Sequence, residues 1–131
     1  MTLVLTLLAL LAGWPTMTGQ DAVTGRDGGA MPQVRPVLQW LSAVKSGNQD
    51  RLKTAFSAPM QRQFEQEGWP GVLRTYRDAF QKAFGDYVLE DFSFEFVGDA
   101  DRGQVLVMHK GNKLPGVRVI RESTGWKVDE R

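Results

Sequence analysis

The chain has 131 residues, of which 42% are hydrophobic and 24% charged, and its formal net charge at neutral pH is +1. This length fits a single domain with one modest core. The near-neutral charge argues against a dedicated nucleic-acid-binding protein, because phosphate recognition needs a clustered excess of lysine and arginine. The sequence contains no cysteine, which excludes disulfide bonds, thiol catalysis, cysteine-ligated zinc and lipid attachment to a cysteine.

The N-terminal part contains an apolar run. Residues 3–12 read LVLTLLALLA, and only Thr6 among them is polar. As a helix this run would span about 15 Å, about half of a bilayer core, so it is too short to cross a membrane. Its length is typical of the hydrophobic region of a secretory signal peptide. We therefore expect residues 1–19 to be a signal peptide and the mature protein to be periplasmic or secreted, without a stable membrane span after processing. The alternative is a short amphiphilic helix that the mature protein retains.

The next segment, residues 20–33, is predicted to be a flexible tether. It contains Gly25, Gly28, Gly29 and Pro32 with scattered charge and no hydrophobic periodicity, a composition typical of linkers. The folded domain is therefore expected to cover residues 34–131.

Two helices are predicted at the start of this domain. The first covers 33–46, because apolar residues recur there at helical spacing, and Gly47 ends it as a residue that tolerates the left-handed conformation. Asn48 is expected to cap a second helix over 48–57, since its side-chain oxygen can accept a hydrogen bond from the first turn. The apolar residues of the two stripes are Val37, Trp40, Leu41, Val44, Leu52, Ala55 and Phe56.

Two more helices are expected before the pattern changes. A short one covers 59–67, with Pro59 in its first turn and Gly68 as its end. The other covers 72–84, where an apolar stripe of three- and four-residue steps lies opposite a charged face that we interpret as solvent-exposed. The stripe consists of Val72, Leu73, Tyr76, Phe80, Ala83 and Phe84.

From residue 87 the hydrophobic period becomes two, which predicts strands. Phe92, Phe94 and Phe96 alternate with polar residues, as expected where one face of the sheet is wet. Residues 98–103 are predicted to be a turn. Residues 104–110 are apolar on both faces, which predicts a central strand covered on both sides or a tightly packed interface. A loop over 111–116 and a final hairpin over 117–122 and 124–130 complete the chain. This order predicts an α+β fold, with three or four helices packed on a curved, cone-like, four-stranded antiparallel sheet.

Three segments carry a resemblance to a known superfamily. They are residues 40–48 (WLSAVKSGN), Leu52 followed by 56–60 (FSAPM), and the terminal Gly125-Trp126-Lys127-Val128. In combination they resemble the helix, turn, helix and last strand of the nuclear transport factor 2-like, or cystatin-like, proteins, and in particular small exported domains of unknown function. The resemblance covers 34–131 and implies a curved sheet wrapped against helices into a cone, often with a pocket inside. One departure is that many members carry a short strand or hairpin before the third helix, whereas 59–71 reads as helix and loop.

Few residues are of a type and at a spacing that suggest catalysis. His109 is the only histidine, so it cannot form the usual zinc site alone, although an imidazole suits acid–base work. Alternation places it on the face of Val105 and Val107, as an exposed or packed edge residue. Six acids between 86 and 101 are expected to pair with later bases across the sheet, the alternative being a general base such as Glu90. The acids of loop 98–103 resemble the start of a calcium loop, but the loop is too short.

Aromatic residues are the only concentrated signal. Most are expected to form the core, because a small domain needs large side chains to bury enough apolar area. Six are our candidates for lining a pocket for an apolar or aromatic ligand: Trp40, Tyr76, Phe92, Phe94, Phe96 and Trp126.

We therefore expect an exported binding or accessory module without catalytic function, with an apolar pocket or a sheet face that forms a homodimer. The alternative is a small pocket enzyme of the isomerase or dehydratase kind, which the superfamily also contains, since a fold hosts many functions. Such an enzyme would need an ionisable group beside the face that carries Phe92, Phe94 and Phe96. No phosphate-binding loop or nucleophile elbow occurs in the sequence, and we expect no metal or cofactor. The sequence leaves the ligand, and any protein partner, unidentified.

Overall fold

The computed structural model of the chain describes residues 22–24 and 31–131. The elements in chain order are β1 Ala22–Thr24, α1 Arg35–Ser46, α2 Gln49–Thr54, α3 Ala58–Glu67, α4 Trp69–Phe84, β2 Phe92–Gly98, β3 Arg102–His109, β4 Asn112–Lys113, β5 Val117–Glu122 and β6 Gly125–Val128. The predicted α+β class is confirmed, because four helices precede all strands but β1 of an open, antiparallel sheet.

The local signals at the first helices act as predicted. Gly47 ends α1 with a φ of 70°, and its N–H bonds to the carbonyls of the last turn. Asn48 caps α2, its side-chain oxygen accepting the Arg51 N–H at 3.1 Å. α2 ends at Thr54, earlier than expected, because the following residues pair with the last strand. Ser57 donates its N–H to the Val128 carbonyl, and Val128 donates to Ala55, both at 2.8 Å.

The next two helices begin with proline in the first turn, where the missing N–H costs no helical bond. α3 matches its predicted range to within one residue at its start. α4 begins three residues before the predicted start at 72, because Pro70 occupies its first turn. Across residues 22–24 and 31–131, none of the helices combines the length and the hydrophobicity needed to cross a bilayer.

The strand order in the sheet is β1-β2-β3-β5-β6, and the short β4 also pairs with β3. The four predicted strands are present, and β1 and β4 are additional. β1 comes from the segment predicted to be a tether, and it pairs with β2 so that Val23 lies opposite Phe94. The remainder of that segment up to residue 30, and the whole predicted signal peptide, lie outside the described residues.

The predicted loop over 111–116 is instead a tight turn, a short strand and a bulge. Lys110 and Gly111, with φ of 50° and 82°, form the two-residue turn between β3 and β4, a position that requires two positive φ values. Met108 lies opposite Lys113, whereas Val105 lies opposite Val117, so the second strand contains one extra residue. A bulge at 114–116 accommodates it, and Pro115 fits there because a bulge leaves one residue without ladder hydrogen bonds.

The helices cover one face of the sheet, which we call the helix-side face. Its core residues are Phe92, Phe94, Val105, Val107, Val119 and Val128, packed in one cluster with the helix residues. The opposite side, the outer face, carries the alternating residues Gln104, Leu106, Arg118 and Ile120. β3 has strands on both sides, so its predicted central position is confirmed. Leu106 is only 7% exposed on the outer face.

Candidate functional site

The six candidate aromatic residues occur as three pairs. Phe92 and Phe94 are each 1% exposed, and their stacked rings have centres 6.3 Å apart in the core. Trp40 and Tyr76 are half-buried between α1 and α4, with ring centres 5.1 Å apart. The third pair, Phe96 and Trp126, is also half-buried, and its rings contact at 5.4 Å on the sheet.

The space between the helices is filled by aromatic rings around Phe56, which is fully buried. Its ring centre lies 5.1 Å from that of Phe64, 5.6 Å from Trp40, 5.9 Å from Tyr76 and 6.3 Å from Trp69. Burial, together with the charges of nearby glutamates, raises the pKa of Tyr76 to about 12. The protein's own side chains therefore occupy this part of the interior.

His109 lies on the helix-side face, opposite Phe92 in the register. Its ring centre is 4.5 Å from that of Phe92 and 5.0 Å from that of Phe84. Its Nε2 atom is buried and has no hydrogen-bond partner among the described residues. Of the two predicted environments, exposed or packed, the structure therefore has the packed one. A general base must come within hydrogen-bond reach of a substrate, which a buried Nε2 atom in this arrangement does not.

The acids of the loop between β2 and β3 stabilise their own turn. Asp99 accepts the N–H groups of Asp101 and Arg102 at 2.8 and 3.0 Å, and these bonds lower the pKa of Asp99. Asp101 pairs with Arg121 at 2.9 Å, across the sheet. Glu90, the candidate general base, is exposed. In the described part of the chain, no three histidine or acidic side chains group together as metal ligands.

A groove of about 510 Å³ lies on the outer face, away from all six aromatic candidates. The two central strands and the segment after β6 form it. Its lining side chains are those of Arg102, Gln104, Arg118, Ile120, Asp129 and Arg131. The register explains their proximity, because Gln104 lies opposite Arg118 and Arg102 opposite Ile120. The Asp129 N–H continues this ladder with a 2.9 Å bond to the Arg118 carbonyl.

The carboxylate in the groove is already neutralised. Asp129 binds the Arg131 guanidinium through both oxygens, at 2.8 and 2.9 Å, and accepts the Ser57 hydroxyl at 2.7 Å. Burial alone would raise the pKa of Asp129, but these hydrogen bonds and the charges of Arg131 and Arg118 lower it below its usual value. The neighbouring Glu130 behaves differently, because burial raises its pKa despite the bond that it accepts from the Arg118 N–H.

The guanidinium groups of the other two groove arginines, Arg102 and Arg118, are not paired with a described carboxylate side chain. Arg118 donates one guanidinium N–H to the main-chain oxygen of Arg131. For Arg102, no described carboxylate lies within 4 Å of the guanidinium, although the charge of Arg102 acts on nearby Asp99. Sequence reasoning missed this groove, since it interpreted the bases after 101 only as cross-strand partners of the acids. The available signal was the alternation of Arg102 with Gln104, which places both on one strand face.

Comparison with known proteins identifies no relative. No protein family, no curated protein and no solved structure matches the chain significantly. The resemblance to nuclear transport factor 2-like proteins therefore stays a prediction based on the three segments of the sequence.

Proposed function

We propose that the protein is a binding module without catalytic function and that its ligand occupies the groove on the outer face. The observation that carries this proposal is the groove itself, where three arginines and a glutamine from two central strands and the C-terminal segment line one volume. Small-ligand sites are concave volumes with a few convergent polar groups, mostly of about 300–1,000 Å³. This groove lies within that range, although it is more polar than most.

The scaffold under the groove supports a binding role. Gln104 and Arg118 project from directly opposed positions of β3 and β5, and side chains on central strands are held more rigidly than side chains on loops. The segment after β6 is fixed by the bond that Asp129 accepts from the Ser57 hydroxyl and by the bond from the Asp129 N–H to the Arg118 carbonyl. A ligand in the groove would therefore meet a preorganised surface, which reduces the entropy lost on binding.

The pocket enzyme of the isomerase or dehydratase kind remains the second candidate, and His109 is the observation that favours it. This imidazole is the ionisable group beside the Phe92 face that such an enzyme needs, and its buried Nε2 lacks a described partner. The rings of Phe84 and Phe92 contact it, however. Catalysis would require these rings to separate, whereas binding in the groove requires no rearrangement.

A fragment screen by NMR tests the proposal. The full chain, labelled with ¹⁵N, is titrated with anionic, cationic and neutral fragments, and we expect the shift changes to cluster on β3, β5 and residues 129–131. Ile120→Trp should abolish these changes by filling the groove. Val97→Trp is the matched control, because Val97 lies on the same outer face of β2, is 45% exposed and does not line the groove. Shift changes centred on Phe84 and His109 would instead favour the enzyme.

We also propose that the protein is exported, on the basis of the uncharged apolar run over 3–12. The assay expresses a C-terminally tagged full-length chain in a bacterium and fractionates the cells. We expect the product outside the cytoplasm and shortened by about 19 residues, the length of the predicted signal peptide. Recovery of full-length product from the cytoplasm would contradict this proposal without affecting the groove.

A further inference from the structure

We infer that the groove on the outer face binds an oxyanion, a phosphate or carboxylate group, through Arg102 and Arg118. This inference rests on the proposed binding function and names the chemistry of its ligand. Guanidinium groups are planar donors whose geometry matches the two oxygens of a carboxylate or phosphate.

The register brings the two arginines to one site. Gln104 lies opposite Arg118, and Arg102 precedes Gln104 by two residues on the same strand face. Arg102 and Arg118 are therefore diagonal neighbours, whose backbones lie about 7–8 Å apart in an antiparallel pair. Both guanidinium groups can converge on one anion over this distance.

The charges in the groove leave these two arginines available. Asp129 is the only acid among the lining residues, and it is held by Arg131 and Ser57. Arg118 interacts electrostatically with Asp129 and Glu130. Only one of its five guanidinium N–H donors, however, has a described acceptor. Arg102 has no carboxylate within 4 Å in the described part of the chain. An incoming oxyanion would supply the missing acceptors.

The size of the groove indicates a small ligand. A volume of about 510 Å³ accommodates a small organic acid or a phosphorylated metabolite. A nucleic acid would need a basic surface that extends over many phosphates, whereas the whole chain has a net charge of +1. Two adjacent arginines instead suit one anionic group.

The experiment titrates the full chain with inorganic phosphate and, separately, with succinate at a constant ionic strength. NMR follows the backbone signals of β3 and β5 and the Nε–Hε signals of the arginines, and yields a Kd for each anion. We expect Arg102→Gln and Arg118→Gln each to weaken binding at least tenfold. Arg62→Gln, an exposed change on α3 with the same loss of charge, should leave the Kd within twofold. The anion with the lower Kd identifies whether the groove prefers a phosphate or a carboxylate group.

Two results overturn the inference. One is that neither anion shifts the groove signals, and the other is that Arg62→Gln weakens binding as much as the groove variants, as general charge attraction predicts. Arg102 is exposed, so Arg102→Gln keeps the test valid even if Arg118→Gln disturbs the fold. If neutral or cationic fragments occupy the groove and anions do not, only the oxyanion inference fails. If no fragment occupies it, the proposed function fails as well.

Discussion

The substitution His109→Phe tests whether the imidazole of His109 is a packed side chain or a functional one. In the structure its ring contacts Phe92 and Phe84, at 4.5 and 5.0 Å, while Nε2 is buried without a described partner. A buried polar atom without a hydrogen bond costs about 1–3 kcal/mol. Phenylalanine is an aromatic ring of similar width and removes that atom, so it keeps both ring contacts and relieves the cost.

The expected magnitudes follow from these contacts. His109→Phe should leave the free energy of unfolding unchanged or raise it by about 1 kcal/mol, since slight overpacking offsets part of the gain. His109→Ala should lower it by about 1–2 kcal/mol, because the loss of two ring contacts of about 0.5–1.5 kcal/mol each and of some buried area exceeds the relief of the unpaired Nε2, which alanine also removes. For a domain of this size, each kcal/mol corresponds to about 4–8 °C in Tm.

The assay is urea unfolding of the wild type and both variants, followed by tryptophan fluorescence, with a thermal scan as an independent check. A packed imidazole predicts that the Phe variant lies at or above the wild type and the Ala variant well below it. If His109→Phe lowers stability by more than about 1 kcal/mol, the imidazole makes a stabilising polar interaction and is not simply a packed ring. That result would favour the pocket-enzyme hypothesis over the binding module.

Four further predictions concern the aromatic residues Phe56 and Trp126, the groove residue Asp129 and its neighbour Glu130. Phe56→Ala should cost about 3–5 kcal/mol in urea unfolding because its ring is fully buried, whereas the half-buried Trp126 should cost about half as much when changed to Ala. Asp129→Asn should cost about 1 kcal/mol at pH 7, and this difference should disappear as the pH falls below about 4, because a carboxylate with a lowered pKa contributes its stability only while ionised. Glu130→Gln should raise stability at pH 7, because a carboxylate with a raised pKa costs stability while it is ionised. The wild type should gain stability as the pH falls through this raised pKa, and the variant should lack that gain. Urea midpoints between pH 7 and 4.5 measure both effects.

The local features of the fold could be predicted from the sequence because their causes are local. Gly47 ends α1 and Asn48 caps α2, and both effects depend on residues within one helical turn. The early end of α2 could not be predicted in the same way. It depends on the pairing of Ala55 and Ser57 with Val128, residues more than seventy positions apart whose approach is determined only by the complete fold.

The aromatic candidates show a similar limit. Hydrophobic periodicity identified residues that face inward, and Phe92 and Phe94 are indeed in the core. Periodicity reports which residues face inward, but not whether the space between them is empty. Phe56 occupies the space between the helices in contact with Trp40 and Tyr76, and a packed interior has few voids larger than a water molecule. A pocket therefore cannot be inferred from an aromatic stripe alone.

The pairing of Arg118 with Gln104 in the groove depends on a feature that strand alternation cannot reveal. The tight turn at 110–111 places Met108 opposite Lys113, and the same register continued without interruption would put Gln104 opposite Val117. Arg118 would then point to the helix-side face, since a slip of one residue exchanges the two faces of a strand. The bulge at 114–116 shifts the register by one residue, so that Gln104 lies opposite Arg118. Both residues therefore share the outer face, where Arg118 lies diagonal to Arg102, and the bulge is what brings these two basic positions into one groove.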